Sequence, residues 1–324
     1  MSKKLKTLIL RVSISILSLA FVFYSVRGEF KEGLSHLTNI EIIPLLIALA
    51  INFLSLAVVT FRINIILSIQ KIHLSFKRLY YLWVISLFFN LFSPSAIGGD
   101  IAKAYYIYKD SGKKMATITS VLIDRFFGLM ATISIGFFTF FIGHERIDDP
   151  RVGQLLFCVT GAVLIVTLFM MSHRFSKPAR ALVLRTFPRR FHERVSKLFE
   201  ALDLYRKRRV DFCLAYLYSL VAQGMFILLI YFLARSIHIN VPVVLFFLFL
   251  PLIVVISMVV PSIGAFGPRE AATVYLFRSY VSVDQAVAIS LICDLFIYGI
   301  GCLCGILYAI RGGASIRELE RMES

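Results

Sequence analysis

Long uninterrupted apolar runs constrain this chain more than any other feature of its sequence. A helix that crosses the roughly 30 Å hydrocarbon core of a bilayer needs about 20 predominantly apolar residues. Such runs predict full membrane spans at residues 5–26, 41–69, 115–142, 152–172, 210–236 and 284–310. Of the 324 residues, 59% are apolar and only 17% are charged. We therefore predict an all-α polytopic membrane protein, with residues 1–324 forming a single transmembrane domain.

Two further apolar stretches, 79–93 and 242–260, differ from the six predicted spans. The first corresponds to only about 22 Å of helix at roughly 1.5 Å per residue, which is too short to cross a bilayer. Each stretch ends in a segment rich in proline and glycine, and a short predicted helix follows, at 101–109 and at 269–280. Non-helical backbone at membrane depth is tolerated only where protein or a water-filled cavity surrounds it. We therefore predict two re-entrant helical hairpins.

Basic residues are distributed asymmetrically about these segments. With the N-terminus inside the cell, 26 of the 35 Lys and Arg residues fall in predicted cytoplasmic segments, among them Arg62 and Lys103. An excess of basic residues in cytoplasmic loops sets the orientation of membrane proteins. We therefore predict a protein of the cell membrane with both termini in the cytoplasm. The same bias explains the net charge of +16 without a nucleic-acid partner.

Residues 173–209 form the only sizeable segment that we predict outside the membrane. Apolar residues recur in it at helical spacing beside basic ones, at Val195, Leu198, Phe199 and Leu202. This pattern is typical of an amphipathic helix that lies on an anionic cytoplasmic leaflet. The positive-inside rule alone accounts for its charge, and a platform that loads lipid is the alternative.

A shift of 170 residues aligns the two halves of the chain. The shift superimposes two pairs of acidic residues, Asp100 on Glu270 and Asp124 on Asp294. Because ionisable residues are rare within membranes, we interpret the match as two inverted repeats, about 40–142 and 210–310. Chance similarity between apolar segments is the alternative. Inverted repeats with broken helices at matching positions are typical of transporters that expose a midplane site to each side in turn.

Ionisable residues inside the predicted spans are candidates for a binding site. Asp124 and Arg125 lie about ten residues into their span, roughly 15 Å deep, and Asp294 lies at a similar depth. A charge at the bilayer centre costs roughly 3 kcal/mol or more, so these groups face the protein interior and pair with others. Neighbours on a helix point about 100° apart, so Asp124 and Arg125 are expected to pair elsewhere. Such pairs either fix helix register or bind substrate or protons.

Polar residues also gather where the two predicted return helices begin. Asp100, Arg269 and Glu270 lie at these helix ends, next to four glycines, Gly98, Gly99, Gly264 and Gly267. A helix N-terminus carries roughly half a positive charge and exposes N–H groups, which suits a phosphate. Arginine can bind two phosphate oxygens at once. The alternative is that the acids cap the helices and the glycines form turns.

No sequence pattern indicates catalysis or a bound metal. The GxSxG, HExxH and Walker A patterns do not occur in the sequence. The sequence therefore lacks the motifs of serine hydrolases, zinc-dependent hydrolases and P-loop ATPases. The five cysteines lie within apolar runs without CxxC spacing, and the six histidines are scattered. We therefore predict no metal, no cofactor and no enzymatic activity.

Three motifs, in this order, resemble the membrane domain of the lysylphosphatidylglycerol synthase family. They are residues 94–105, residues 121–126 and residues 261–272. The family's glycine-glycine-aspartate, aspartate-arginine and arginine-glutamate motifs map onto Gly98, Gly99, Asp100, Asp124, Arg125, Arg269 and Glu270. In the synthases this domain flips a modified phospholipid that a separate cytoplasmic aminoacyltransferase domain makes. The same domain occurs alone in many bacterial and archaeal flippase-like proteins.

Two features differ from the synthases. The sequence ends at Ser324 without a transferase segment, so we expect no aminoacyl transfer. Pro268 directly precedes Arg269, where the resemblance implies a less rigid residue, although proline suits the first turn of a helix.

The resemblance and the residues together predict a lipid flippase or translocase. Its substrate would be an anionic phospholipid or a polyprenyl-phosphate-linked lipid. Arg125 and Arg269 would hold the phosphate, while four acids would balance charge or exchange protons, namely Asp100, Asp124, Glu270 and Asp294. One alternative is an integral-membrane enzyme that acts on a lipid-linked substrate. Another is a membrane scaffold for a separate cytoplasmic lipid or glycan synthase.

Overall fold

The computed structural model describes four long ranges of the chain, 39–91, 98–143, 207–259 and 268–310, and the residues 37, 153–154, 157–158, 161 and 204–205. Two of the predicted spans, 5–26 and 152–172, lie outside the described residues almost entirely. So do Gly264, Gly267 and most of segment 173–209.

Eight helices lie within the four long ranges. They are α1 (Ile42–Ile69), α2 (Phe76–Leu91), α3 (Gly98–Ser111), α4 (Lys114–Gly143), α5 (Arg209–Ser236), α6 (Val243–Val259), α7 (Pro268–Phe277) and α8 (Val283–Ile310). By length and composition, α1, α4, α5 and α8 are able to cross a membrane. Their bounds agree with four of the predicted spans to within one residue at each end. The apolar runs therefore predicted these helices correctly.

The short helices form pairs where we predicted hairpins. Helix α2 packs on α3, and α6 packs on α7. Helix α2 begins three residues before its predicted start because Ser75 Oγ accepts the backbone N–H of Arg78, the contact made by an N-cap serine. The depth of these pairs in a bilayer stays a prediction.

Helix contacts are exchanged between the two halves of the described chain. The short helix α2 packs against α8, the last helix of the second half, and α6 packs against α4, the last long helix of the first half. The first helices of the two halves, α1 and α5, pack against each other. If the two halves are exchanged, the α2–α8 contact becomes the α6–α4 contact, and the α1–α5 contact is unchanged.

Two glycines bring α8 close to α2. A Cβ atom at Gly305 would overlap the Phe88 ring, and one at Gly301 would lie 2.8 Å from the Leu91 side chain. Lipid tails are as apolar as leucine, so helices in membranes associate through close van der Waals packing at small residues. The spacing of four residues places both glycines on one face of α8. Sequence reasoning did not single out this pair.

Candidate functional site

A first charge cluster joins α1, α3 and α4 and consists of Arg62, Asp100, Lys103, Asp124 and Arg125. The buried Arg62 donates from Nε to Asp124 Oδ1 at 2.6 Å. Lys103 Nζ lies 2.8 Å from Asp100 Oδ1 and 3.9 Å from Asp124 Oδ2, so the lysine bridges the two acids. Arg125 contacts the other carboxylate oxygen of Asp100. The five side chains thus form one continuous ionic network.

Neutral side chains complete the surroundings of the two buried cations. Lys103 Nζ lies 3.2 Å from the centroid of the Trp83 ring, a cation–π contact that gains strength away from water. Arg62 Nη1 donates to Ser219 Oγ of α5 at 3.2 Å. Since an unpaired buried charge is costly, these contacts with α2 and α5 help to hold the cations inside the protein.

A second charge cluster joins α7 and α8 and consists of Arg269, Glu270 and Asp294. Arg269 Nη2 lies 3.2 Å from Glu270 Oε1 and also contacts Asp294 Oδ1. Thr273 Oγ1 donates to the Arg269 carbonyl at 2.8 Å, one turn along α7. Both acids are buried, so Arg269 partly neutralises two carboxylates held away from water.

The two clusters share one plan. In each, a basic side chain of a short helix bridges an acid of the same helix and an acid of the following long helix. The bridges are Lys103 between Asp100 and Asp124, and Arg269 between Glu270 and Asp294. The 170-residue shift superimposes the first bridged pair of acids on the second, Asp100 on Glu270 and Asp124 on Asp294. The acids of the two clusters therefore follow the alignment of the two halves, whereas the bridging cations do not, since Lys103 aligns with Thr273 and Arg269 with Gly99.

An arginine is the most exposed member of each cluster. The side chain of Arg125 is 35% exposed and that of Arg269 is 22% exposed, whereas the four acids are between 2% and 15% exposed. A guanidinium carries five N–H donors in a planar fork. An arginine that contacts a carboxylate on its buried side can therefore also donate to an anion on its exposed side.

The ion pairs confirm one prediction. Asp124 and Arg125 pair with different partners, as their positions on the helix predicted. Arg62 and Lys103, which the charge count placed in cytoplasmic segments, are both buried next to acids, and the side of the membrane on which they lie stays a prediction. Arg62 lies inside an apolar run, and Lys103 follows Asp100 by three residues, a spacing at which helical side chains meet. Without these two, 24 of 35 basic residues remain on the predicted cytoplasmic side, so the charge bias persists.

Gly99 brings α3 into close contact with α2. A Cβ atom at Gly99 would lie 2.5 Å from the Ser86 carbonyl oxygen and 2.7 Å from Asn90 Oδ1. The Gly99 N–H donates to this same Asn90 oxygen at 2.8 Å. Gly98 is the first residue of α3. The close approach that Gly99 permits in this structure is therefore to the protein's own helix.

Replacing Gly99 by alanine should destabilise the protein. The new methyl group would meet a backbone oxygen, which is unable to move aside as a side chain end does, and overpacking costs roughly 1–3 kcal/mol. We expect a lower melting temperature in detergent, measured by intrinsic fluorescence. Gly299→Ala is the control, because no atom lies within 4 Å of a Cβ atom there. Equal melting temperatures for the two variants would contradict the packing argument.

A model described as the lysylphosphatidylglycerol synthase TM region matches residues 8–305. The chain belongs to this family. The predicted resemblance is therefore confirmed, and membership makes this a multi-pass membrane protein related to lipid modification or translocation. Searches of curated proteins and of solved structures find no match.

Proposed function

We propose that this member of the lysylphosphatidylglycerol synthase membrane family moves an anionic lipid across the cell membrane. The observation that carries the proposal is the placement of a partly exposed arginine at the edge of each charge cluster. Arg125 contacts the partly buried Asp100, Arg269 contacts the buried Glu270 and Asp294, and both arginines are partly exposed to a ligand. Of the chemical groups in a lipid headgroup, a phosphate best fits the planar guanidinium fork of an arginine.

Both clusters are built at the start of a short helix. Asp100 lies in the first turn of α3, and Glu270 lies in the first turn of α7 next to Arg269. The N–H groups and the dipole of each helix end add to the attraction for an anion. The substrate is an anionic phospholipid or a lipid linked to polyprenyl phosphate, since both present a phosphate to the protein.

The exchanged contacts of the two halves support a transport mechanism. The reciprocal packing of α2 with α8 and of α6 with α4 is the pattern expected of two related repeats. In inverted repeats with broken helices, rocking of one repeat against the other opens a shared site to each side in turn. The buried acids balance the arginines in this mechanism and exchange protons when the phosphate leaves.

A reconstituted assay tests the proposal. The purified full chain is inserted into liposomes that contain a trace of fluorescent phosphatidylglycerol, and dithionite reports how much of this lipid reaches the outer leaflet. We expect lipid movement by the wild-type chain and its loss in an Arg125→Ala, Arg269→Ala double variant that still inserts. Lipids that co-purify in mild detergent are identified by mass spectrometry in the same preparation.

Three outcomes would contradict transport. Equal lipid movement by the wild type and by protein-free liposomes would reject it. Chemical turnover of a lipid phosphate by the purified chain would favour the enzyme alternative. A soluble synthase that co-purifies, without lipid movement, would favour the scaffold alternative.

A further inference from the structure

A groove of about 320 Å³ lies between the start of α2 and the end of α8. Five residues of α2 and one of α8 line it, namely Phe76, Lys77, Tyr80, Tyr81, Val84 and Leu307. None of these residues belongs to either charge cluster. Pockets of roughly 300–1,000 Å³ hold drug-sized ligands. The groove therefore has room for part of a lipid, such as its headgroup and glycerol, and not for a whole diacyl lipid.

The chemistry of the groove changes along α2. The lining positions recur every three or four residues, so they share one face of the helix. Lys77 lies at the start of this face, two tyrosines follow one turn later, and Val84 lies two turns from the lysine. At roughly 1.5 Å per residue, the lysine and the valine are about 10 Å apart along the axis. A cation, then tyrosines, then an aliphatic side chain matches the order of phosphate, glycerol and hydrocarbon in a phospholipid.

The cation of the groove has no acidic partner. Lys77 is exposed, and no carboxylate among the described residues pairs with it. The next residue, Arg78, is in contrast paired with Asp110, with 2.7 Å between Nε and Oδ2. No acid lines the groove. The charge of Lys77 is therefore available to an anion.

Contacts with α1 hold the aromatic wall of the groove in place. Tyr80 Oη donates to the Phe53 carbonyl at 3.2 Å, and the Tyr80 ring stacks on Phe76 with 6.1 Å between centroids. The Phe76 ring lies 4.6 Å from that of Phe61. Tyrosine is enriched at the level of lipid headgroups, and Leu307 lies in the last turn of α8, a helix long enough to cross a membrane. The groove therefore has the composition and the position of a headgroup site at the membrane surface.

We propose that this groove binds one anionic phospholipid, with the phosphate held by Lys77 and the first carbons of a chain lying on Val84 and Leu307. The lipid comes from the predicted cytoplasmic leaflet, because α2 begins and α8 ends on that side in the predicted topology. The site is separate from the charge clusters and goes beyond the proposed transport. Its lipid contacts both α2 and α8, and it stays bound whether or not lipid is moved elsewhere in the protein.

Photo-crosslinking locates this lipid and measures its selectivity. The purified full chain in mild detergent is irradiated with phosphatidylglycerol that carries a diazirine in one acyl chain, and labelled peptides are mapped by mass spectrometry. We expect labelling at Val84 and Leu307. Unlabelled phosphatidylglycerol should compete about fivefold better than phosphatidylcholine with the same chains, the size of one lysine's attraction for an anionic lipid. Inorganic phosphate should not compete, because it has no chain to cover the apolar part of the groove.

Variants of Lys77 assign the selectivity to its charge. Lys77→Gln removes the charge at an exposed position, so labelling at Val84 and Leu307 should fall about fivefold while the melting temperature stays unchanged. Lys77→Arg keeps the charge and should keep the labelling. Lys114→Gln is the matched control, since Lys114 is an exposed lysine at the start of α4 and outside the groove. Labelling in this control should equal that of the wild type.

Four results would overturn the proposal. They are labelling that avoids Val84 and Leu307, equal competition by the two phospholipids, displacement by inorganic phosphate, and unchanged labelling in Lys77→Gln. Each of these results is compatible with lipid movement in liposomes. Failure of the proposed function is recognised separately, by the absence of movement in liposomes while labelling at Val84 and Leu307 persists.

Discussion

Arg62→Ala should destabilise the protein strongly. The substitution leaves the carboxylate of Asp124 buried, with Lys103 Nζ at 3.9 Å as its remaining cation. Breaking a buried ion pair by removing one partner costs roughly 3–5 kcal/mol, because the remaining charge stays desolvated. We expect a large fall in the free energy of unfolding, measured by denaturant titration in mixed micelles.

A matched pair elsewhere in the chain is the control. Arg78 Nε lies 2.7 Å from Asp110 Oδ2, almost the same distance as the 2.6 Å of the buried pair, but the Arg78 side chain is 37% exposed. Exposed ion pairs contribute roughly 0–1 kcal/mol, so Arg78→Ala should be nearly neutral. Combining Arg62→Leu with Asp124→Leu should recover most of the lost stability, since apolar residues often replace a buried pair at no cost. Equal effects of Arg62→Ala and Arg78→Ala would contradict the account of burial.

Arg269→Lys should reduce lipid movement at least tenfold while the protein remains folded. In the first charge cluster a lysine already bridges two acids, since Lys103 lies between Asp100 and Asp124. A lysine at position 269 should therefore neutralise Glu270 and Asp294 well enough to preserve the fold. It lacks the planar fork that holds two phosphate oxygens. The measurement is the liposome assay together with the melting temperature of the same preparation.

Two further variants distinguish a phosphate-binding role of Arg269 from a structural one. Arg278→Lys changes an exposed arginine after the end of α7 and should leave both lipid movement and melting temperature unchanged. Arg269→Ala should lower the melting temperature, because it removes the cation shared by two buried acids. Full lipid movement by Arg269→Lys would refute the phosphate grip, and the arginine would then be a structural cation.

The long helices were predictable from the sequence because bilayer thickness fixes the length of an apolar run. The bounds of α1 and α8 follow from where the apolar residues begin and end. The partners of the buried charges were not predictable, because they depend on which helices are neighbours and how each is rotated about its axis. Arg62 is the clearest case, since the sequence analysis counted it among the cytoplasmic basic residues and nothing local indicated Asp124 as its partner. The bridge between Lys103 and Asp100 was accessible, because their spacing of three residues places both on one face of a helix.

The partner of Gly99 was not predictable for a related reason. Ser86 and Asn90 lie on another helix and follow no motif, so their contacts with Gly99 exist only once α2 and α3 are packed together. Sequence analysis placed Gly99 next to a candidate phosphate site, and in the structure it packs closely against α2.

The packing of α2 on α8 has a consequence for biogenesis. Translation delivers the N-terminal half of a chain first, so Phe88 and Leu91 are synthesised long before the glycines that they contact, Gly305 and Gly301. Until α8 is synthesised, the insertion machinery or surrounding lipid has to cover that face of α2. The same holds in reverse for a gene fragment that encodes the second half alone, whose α6 would lack α4. The packing between the two halves is therefore complete only after α8 has been synthesised.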